Sequence, residues 1–168
     1  DEINAVDKLS LHTELYNPTE TDFKPQIAKM LAKKPQAVLI AGLGNSMGLI
    51  IRQLREAGFK GAILASVGLT LAPGAIDAAG QYASGVRYIK LVDAPDFNAR
   101  YDAAYGTKDT GNGRLGYGDV ELIAAALRNA PRPEVMAEYL HGLGGFAGKY
   151  EAMDIQATGD ILSQIELG

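Results

Sequence analysis

The amino-acid sequence predicts an α/β protein with a doubly wound parallel sheet. Two short apolar runs, residues 37–41 and 61–65, are each typical of a buried strand. Each run ends in a small loop that contains glycine, and a segment with helical spacing lies between them. Together with a strand and a helix before residue 37, these segments give the order β-α-β-α-β, which is typical of parallel strands joined by right-handed crossovers.

The elements before residue 37 are predicted from local patterns. Leucines alternate with polar residues over residues 9–15, which indicates a half-buried strand. Residues 21–22, Thr-Asp, can cap a helix whose apolar positions recur at helical spacing. Two lysines and a proline at residues 33–35 end that helix, because cations stabilise its negative end and proline stops it. The run 37–41 is apolar throughout, so we expect a strand that is covered on both faces.

The elements after residue 41 continue the alternation of strands and helices. A helix over residues 117–130 has the clearest apolar stripe, formed by Val120, Ile123, Ala124 and Leu127. Residues 106–116 are polar and rich in glycine, which favours a loop, and residues 142–148 are expected to be flexible. The other expected elements are helices at 45–57, 75–81, 96–105 and from 133 onward, strands at 61–65 and 85–92, and short strands around a turn at 159–160.

Composition excludes several classes of function. The 168 residues carry a net charge of −4, which argues against a nucleic-acid partner because such proteins usually present a basic patch. There is no cysteine, so disulfides and thiolate metal sites are excluded. No apolar run approaches the length of a membrane span, and no signal peptide is recognised. If the protein is exported, we expect its signal to lie outside this sequence.

The glycine pattern of residues 42–48 is the first candidate site. Its form, G-x-G-x-x-x-G between a strand and a helix, resembles a dinucleotide fingerprint. Such a site needs an acidic residue after the next strand, or an arginine nearby, but here that strand ends in residues 66–68, Ser-Val-Gly. The pattern therefore indicates either tight packing of the helix on the strand, or a small polar ligand held by backbone amides and Asn45 or Ser46. A nucleotide-binding enzyme that uses NAD(P) or FMN is the less favoured alternative.

The titratable residues give no pattern that predicts catalysis. His12 and His141 are far apart in sequence and lack a serine or aspartate at a suggestive spacing. The aspartates between residues 93 and 109 match no metal-binding motif and are typical of helix caps and solvated faces. We therefore expect no catalytic residue, no metal and no cofactor, and we predict that the protein is not an enzyme.

Several segments, in their order and spacing, resemble type I periplasmic solute-binding proteins of the leucine/isoleucine/valine-binding family. They are Thr-Asp-Phe at 21–23, Arg-Gln-Leu-Arg-Glu-Ala-Gly at 52–58, Ala-Ser-Gly-Val at 83–86, Tyr-Gly-Asp-Val at 117–120, and Gly-Asp at 159–160. The resemblance implies flavodoxin-like α/β lobes joined by crossing strands, with a small organic solute bound in the cleft between them. It also implies delivery of the solute to the permease of an ABC-type transporter, a periplasmic or extracellular location, and no catalysis. A ligand-sensing regulatory module on the same scaffold is a further alternative.

The resemblance also implies which residues line the cleft. They are Leu43, Asn45 and Ser46 in the first loop, Val67 and Gly68 in the second loop, and Asn112. Amino-acid binders of the family usually have an acidic residue at about the position of Val67, where it holds the ligand ammonium. Because a buried ammonium without a counter-charge is costly, we expect an aromatic acid, an amide or another small organic solute instead.

The resemblance divides the chain and indicates a missing part. Residues 8–80 correspond to a lobe with one wall of the cleft, residues 81–148 to a returning segment of the other lobe, and residues 149–168 to closing strands. About the first third of a typical member has no counterpart in this sequence, so the stripe on helix 117–130 would have no sheet to cover. We therefore expect a fragment, a second chain that completes the missing lobe, or a dimer formed by exchange.

Overall fold

The computed structural model of the chain describes residues 10–72 and 74–168 and divides into two compact units, Asp1–Tyr88 and Ile89–Gly168. The predicted α/β class with a parallel sheet is confirmed. The predicted division into residues 8–80, 81–148 and 149–168 stays a prediction.

The first unit contains a parallel sheet and a layer of helices. Strand β1 pairs along its whole length with β2, and β2 pairs with the first two residues of β3, all in parallel. In chain order the elements are α1 (Lys24–Ala32), β1 (Ala37–Ile40), α2 (Asn45–Glu56), β2 (Ala62–Ala65), α3 (Gly68–Leu71), α4 (Ala75–Ala79), a 3₁₀ turn (Gly80–Ala83) and β3 (Arg87–Leu91).

One apolar core holds the first unit together. Alternate residues of β1 and β2 point into it, and the apolar stripes of α1 and α2 pack on that face. Its largest fully buried side chains are Phe23, Met47, Ile51, Leu54 and Ile63. The turn between α2 and β2 is fixed by Arg55, whose guanidinium donates to the carbonyls of Phe59 and Gly61 at 2.8 and 2.9 Å. The central helices and strands predicted from the sequence are therefore present.

Two expectations for the first unit are wrong. Residues 10–15 form no strand, and the side chains of Leu11 and Leu15 are 55% and 86% exposed; Leu9 lies outside the described residues. Strand 37–41 is covered on one face only, since Leu39 is 62% exposed. The helices that pack on β1 all lie on the face of the sheet that carries Val38 and Ile40. Among residues 10–72 and 74–88, no helix covers the opposite face, which carries Leu39.

The second unit combines three helices with a small antiparallel sheet. Strand β5 lies between β4 and β6, and β7 pairs antiparallel with the last three residues of β3. Its elements are α5 (Pro95–Tyr105), α6 (Asn112–Asn129), α7 (Pro133–Gly142), β4 (Gly145–Ala147), β5 (Ala152–Ile155), β6 (Ile161–Ser163) and β7 (Ile165–Leu167). Leu122, Met153 and Ile155 form its buried apolar cluster.

Helix α6 begins earlier than the sequence predicted. The carboxylate of Asp109 accepts hydrogen bonds from the backbone N–H groups of Gly113 and Arg114, at 2.9 and 3.2 Å. These bonds satisfy donors that a helix start leaves free, so the helix extends back to Asn112 into the segment expected to be a loop. The expected flexible segment 142–148 also contains strand β4.

The apolar stripe of α6 faces away from its own core, as expected. Gly118, Leu122 and Ala126, each four residues apart, are buried. Val120, Ile123 and Leu127 are instead 66%, 53% and 50% exposed. Three of the four residues of the predicted stripe are therefore largely exposed among the described residues, and Ala124 is half-buried.

Candidate functional site

Two loops meet at the carboxyl edge of β1 and β2. The first, residues 41–44, leads from β1 into α2, and the second, residues 66–67, leads from β2 into α3. Ser66 joins them, because its hydroxyl accepts from the N–H of Gly42 at 3.4 Å and donates to the Gly42 carbonyl at 3.3 Å. Gly68 is buried, and a Cβ there would overlap the Gly42 carbonyl oxygen. The two backbones are therefore in direct contact, as expected where neighbouring parallel strands end.

Each glycine of the 42–48 pattern has a local structural reason. A side chain on Gly42 would overlap the hydroxyl of Tyr16, which donates to the Ala41 carbonyl at 3.2 Å. Gly44 precedes α2 with φ = +95°, a conformation that favours glycine. A side chain on Gly48 would overlap the carbonyl of Ala75. These contacts account for the pattern through packing and chain direction, without a nucleotide.

The predicted site residues divide between the two units. Leu43 and Asn45 are exposed at the first loop, while Ser46 is buried and donates to the Leu43 carbonyl at 3.5 Å. Val67 is half-buried, and its carbonyl accepts from the hydroxyl of Thr70 at 3.0 Å. With Gly68, these five residues lie on the touching loops or at the starts of the helices that follow them. Asn112 lies in the second unit at the start of α6, where its amide donates to the Thr110 hydroxyl at 3.3 Å.

Sequence reasoning missed two residues that shape this edge. The sequence pattern marks Ser66 only as the end of a strand, although a hydroxyl directly after a buried strand is a usable signal. Tyr16 comes from 25 residues before Ala41, and no local pattern connects the two. Both residues hold the first loop in place through its backbone.

The touching loops carry no charged side chain, because residues 41–46 and 66–72 contain none.

Outside the loops, the described charged side chains form an ion pair on α2 but no metal-binding cluster. On the exposed side of α2, Arg52 donates a hydrogen bond to the carboxylate of Glu56 at 2.8 Å, and this carboxylate raises the pKa of the Arg52 guanidinium. In the part of the chain that the structure describes, no group of three or more histidine, aspartate or glutamate residues is placed to hold a metal ion. None of the helices formed by the described residues has the length and apolar character needed to cross a membrane.

Each unit also contains a cavity. In the first unit, a cavity of about 240 Å³ lies beside β1 and is lined by residues 13–16 and by side chains of α1 and α2. In the second unit, a cavity of about 200 Å³ is lined mainly by apolar residues and by His141. The Nδ1 atom of His141 lies 3.1 Å from the Ala157 carbonyl, so this histidine is engaged with the backbone near the end of α7.

Comparison with known families identifies one match. Residues 7–158 match the family model described as periplasmic binding protein. The comparison with curated proteins gave no match. The match spans most of the chain, including both touching loops and helix α6.

Solved structures of this fold were also found. A leucine binding protein from Thermotoga maritima has 26% identity and a TM-score of 0.77, over 90% of this chain and 46% of that chain. A branched-chain amino acid transporter substrate binding protein from Streptococcus pneumoniae, solved with isoleucine, has 22% identity and a TM-score of 0.69, over 90% and 46%. A solute binding protein of an ABC transporter from R. palustris, solved with benzoate, has 19% identity and a TM-score of 0.67, over 89% and 44%. The chain thus spans less than half the length of these solved relatives.

Proposed function

The chain belongs to the periplasmic binding protein family, and on that premise we propose that it binds a small organic solute for delivery to an ABC-type transporter permease. The observation that carries this proposal is the direct contact of two uncharged loops at the carboxyl edge of β1 and β2. In open α/β sheets this edge is where ligands bind. Neither loop supplies a nucleophile with an adjacent base, so the proposed role is binding without catalysis in the periplasm or outside the cell.

The proposed ligand is an aromatic acid, an amide or another small organic solute rather than an ordinary amino acid. Residues 66–72 contain no carboxylate that would neutralise a buried ammonium. At the first loop, α2 begins without a side-chain cap, which leaves backbone N–H groups near Asn45 that favour an anionic or carbonyl oxygen. The R. palustris relative was solved with benzoate, so this fold accommodates an aromatic acid.

The proposed binding residues of the first unit are Leu43, Asn45, Ser46, Val67 and Gly68, and Asn112 of the second unit is a separate proposed binding residue. Buried Ser46 would hold the first loop, while exposed Leu43 and Asn45 would contact the solute. Binding would favour a closed arrangement of lobes through contacts made only in that state. The chain spans less than half of its solved relatives, and the proposed sources of the other wall of the cleft are a longer protein of which this chain is a fragment, a second chain, or a dimer formed by exchange.

A thermal-shift screen tests the proposed ligand class, because a solute that binds only the native state raises the unfolding midpoint. We expect a small rise with aromatic acids or amides and none with leucine. Asn45→Ala should remove the rise, while the matched control Asn129→Ala, an exposed asparagine at the end of α6, should keep it.

Two outcomes would contradict the proposal. One is a rise with NAD(P) or FMN alone, which would revive the nucleotide-binding enzyme. The other is an equal rise in both asparagine variants, which would move the ligand away from the first loop. Size-exclusion chromatography with mass measurement, run in parallel, tests whether a second chain or an exchanged dimer is present.

A further inference from the structure

Asn112 is followed by Gly113, and this Asn-Gly pair occurs once in the sequence. In such a pair the backbone nitrogen of the glycine can attack the side-chain amide carbon of the asparagine, because glycine has no Cβ to shield its nitrogen. The product is a deamidated residue, in which the amide has become a carboxylate. The sequence therefore contains a candidate site of chemical modification at the start of α6.

The reaction has two steps, and water is its co-reactant. First, hydroxide removes the N–H proton of Gly113, and the nitrogen forms a bond to Cγ of Asn112. The bond from Cγ to Nδ2 breaks, and this nitrogen takes a proton from water and leaves as ammonia, so that a succinimide ring remains. Water then adds to either carbonyl carbon of the ring and opens it, which gives aspartate or isoaspartate.

The structure holds the reacting nitrogen in a hydrogen bond. The N–H of Gly113 donates to Oδ1 of Asp109 at 2.9 Å, and the N–H of Arg114 donates to Oδ2 at 3.2 Å. The first bond must break before Gly113 can lose its proton, and the negative carboxylate also opposes that loss. Asn112 is the first residue of α6, and its helical backbone angles prevent closure of the succinimide ring. Deamidation therefore requires that the first turn of α6 opens.

Packing around the first turn of α6 restrains that opening. A Cβ on Gly113 would lie 2.6 Å from a ring carbon of Tyr101, so this position requires glycine. The next residue, Arg114, is only 5% exposed and donates to the buried carboxylate of Glu151. The turn is thus held at two successive residues, and Asp109 is the group that contacts the reacting nitrogen itself.

We propose that Asn112 is a deamidation site that the carboxylate of Asp109 keeps closed. The modified residue would add a negative charge near Asp109, and isoaspartate would also lengthen the backbone by a carbon atom. The N–H groups of Gly113 and Arg114 would then no longer both meet the carboxylate, so modification would loosen the start of α6. This inference goes beyond solute binding and does not depend on whether Asn112 contacts a solute.

Incubation of the chain in a mildly alkaline buffer tests the inference. Peptide mapping by mass spectrometry follows the change of amide to acid at residue 112, and fragmentation distinguishes isoaspartate from aspartate. A synthetic peptide of residues 107–118 gives the rate without the fold. We expect the chain to react more slowly than the peptide by about tenfold or more, because only molecules with an opened first turn react. Equal rates would overturn the inference.

Variants of Asp109 separate its contact from the rest of the fold. Asp109→Ala should speed the reaction in the chain by about tenfold or more, because hydrogen bonds to a charged group are strong. Asp109→Asn keeps an acceptor oxygen without the charge and should give a rate between those of Asp109→Ala and the native chain. It also provides the test if Asp109→Ala does not fold. The matched control, Asp119→Ala, removes an exposed carboxylate from the same helix and should leave the rate unchanged.

Amide hydrogen exchange shows whether the acceleration is local. We expect both Asp109 variants to lose protection at Gly113, while the buried Leu122 further along α6 keeps its protection. Two further outcomes would overturn the inference. The first is an unchanged deamidation rate in both variants. The second is a loss of protection at Leu122 equal to that at Gly113, because the stability of the whole unit would then control the reaction. These measurements need no solute, so failure here is distinguishable from failure of the proposed solute binding.

Discussion

The two units bury different chemistry in their interiors. The first unit encloses five large apolar side chains that are at most 1% exposed: Phe23, Met47, Ile51, Leu54 and Ile63. The second unit has a smaller apolar cluster of Leu122, Met153 and Ile155, each 5% exposed, and beside it a buried arginine and a buried glutamate. Apolar burial stabilises without directional requirements, whereas a buried ion pair depends on both partners being present. The second unit should therefore be more sensitive to a single polar substitution.

The ion pair of the second unit joins Arg114 of α6 to Glu151, just before β5. The guanidinium donates to the Glu151 carboxylate and, at 3.3 Å, to the Tyr150 carbonyl. One further nitrogen of Arg114 and one oxygen of Glu151 are buried and have no hydrogen-bond partner among the described residues. The pair thus links α6 to the segment that leads into β5, but it does not satisfy all of its own polar atoms.

The largest expected effect comes from breaking this pair. Glu151→Ala leaves a buried, uncompensated guanidinium and should lower the free energy of unfolding by about 3–5 kcal/mol. The double variant Arg114→Met with Glu151→Leu removes both charges and should lie close to the native stability. Urea unfolding followed by circular dichroism gives both values. A double variant as unstable as Glu151→Ala would mean that the lost volume, and not the unpaired charge, dominates.

A large truncation in the first unit gives the matching apolar test. Ile51 is fully buried, so Ile51→Ala should lower the free energy of unfolding by about 2–5 kcal/mol through lost transfer energy and a cavity. Ile76→Ala is the matched control, since Ile76 lies on another helix of the same unit and is 44% exposed. The control should change stability by less than about 1 kcal/mol. Hydrogen exchange should show that Ile51→Ala reduces amide protection within residues 10–88. A loss of protection centred on α6 would contradict the separation of the two apolar cores.

The smallest expected effect concerns the exposed stripe of α6. Ile123→Gln and Leu127→Gln replace half-exposed apolar side chains with a residue of good helix propensity. Each should change the free energy of unfolding by less than about 0.5 kcal/mol while reducing self-association at high concentration. Light scattering and urea unfolding measure the two quantities separately. A loss above about 2 kcal/mol would show that the stripe is covered in solution.

Local patterns were sufficient to predict the parallel strands and the central helices. The unbroken apolar runs of β1 and β2 and the amphipathic spacing of α2 each depend on residues that are close in sequence. Residues 10–15 have the alternation of a strand but form none, because a strand also needs a neighbouring backbone. For the same reason the sequence could not indicate that Leu39 would be exposed. The earlier start of α6 depends on Asp109, which caps the helix. Asp109 lies in a glycine-rich segment whose sequence predicts a loop, so its capping role follows only from the three-dimensional position of its carboxylate.

The candidate site was predictable to a similar extent. Two glycine loops after parallel strands must lie near each other, and the structure joins them through Ser66 and Gly68. The contact of Tyr16 with the first loop could not be predicted, because no local sequence pattern links residue 16 to residue 41. The role of Asn112 in binding stays a prediction, as do the roles of the five loop residues.

The backbone contact between Gly42 and Gly68 has a consequence for engineering this protein. A scan of all substitutions at these loops should find almost no tolerance at Gly68, since a side chain there would overlap the Gly42 carbonyl and push the two loops apart, whereas a side chain on Gly42 would displace the Tyr16 hydroxyl. Leu43 and Val67 lie beside this fixed frame and carry side chains that can be exchanged without moving it. A library that varies only these two positions would alter the chemistry of the edge while keeping its architecture, which makes it a compact starting point for biosensor design.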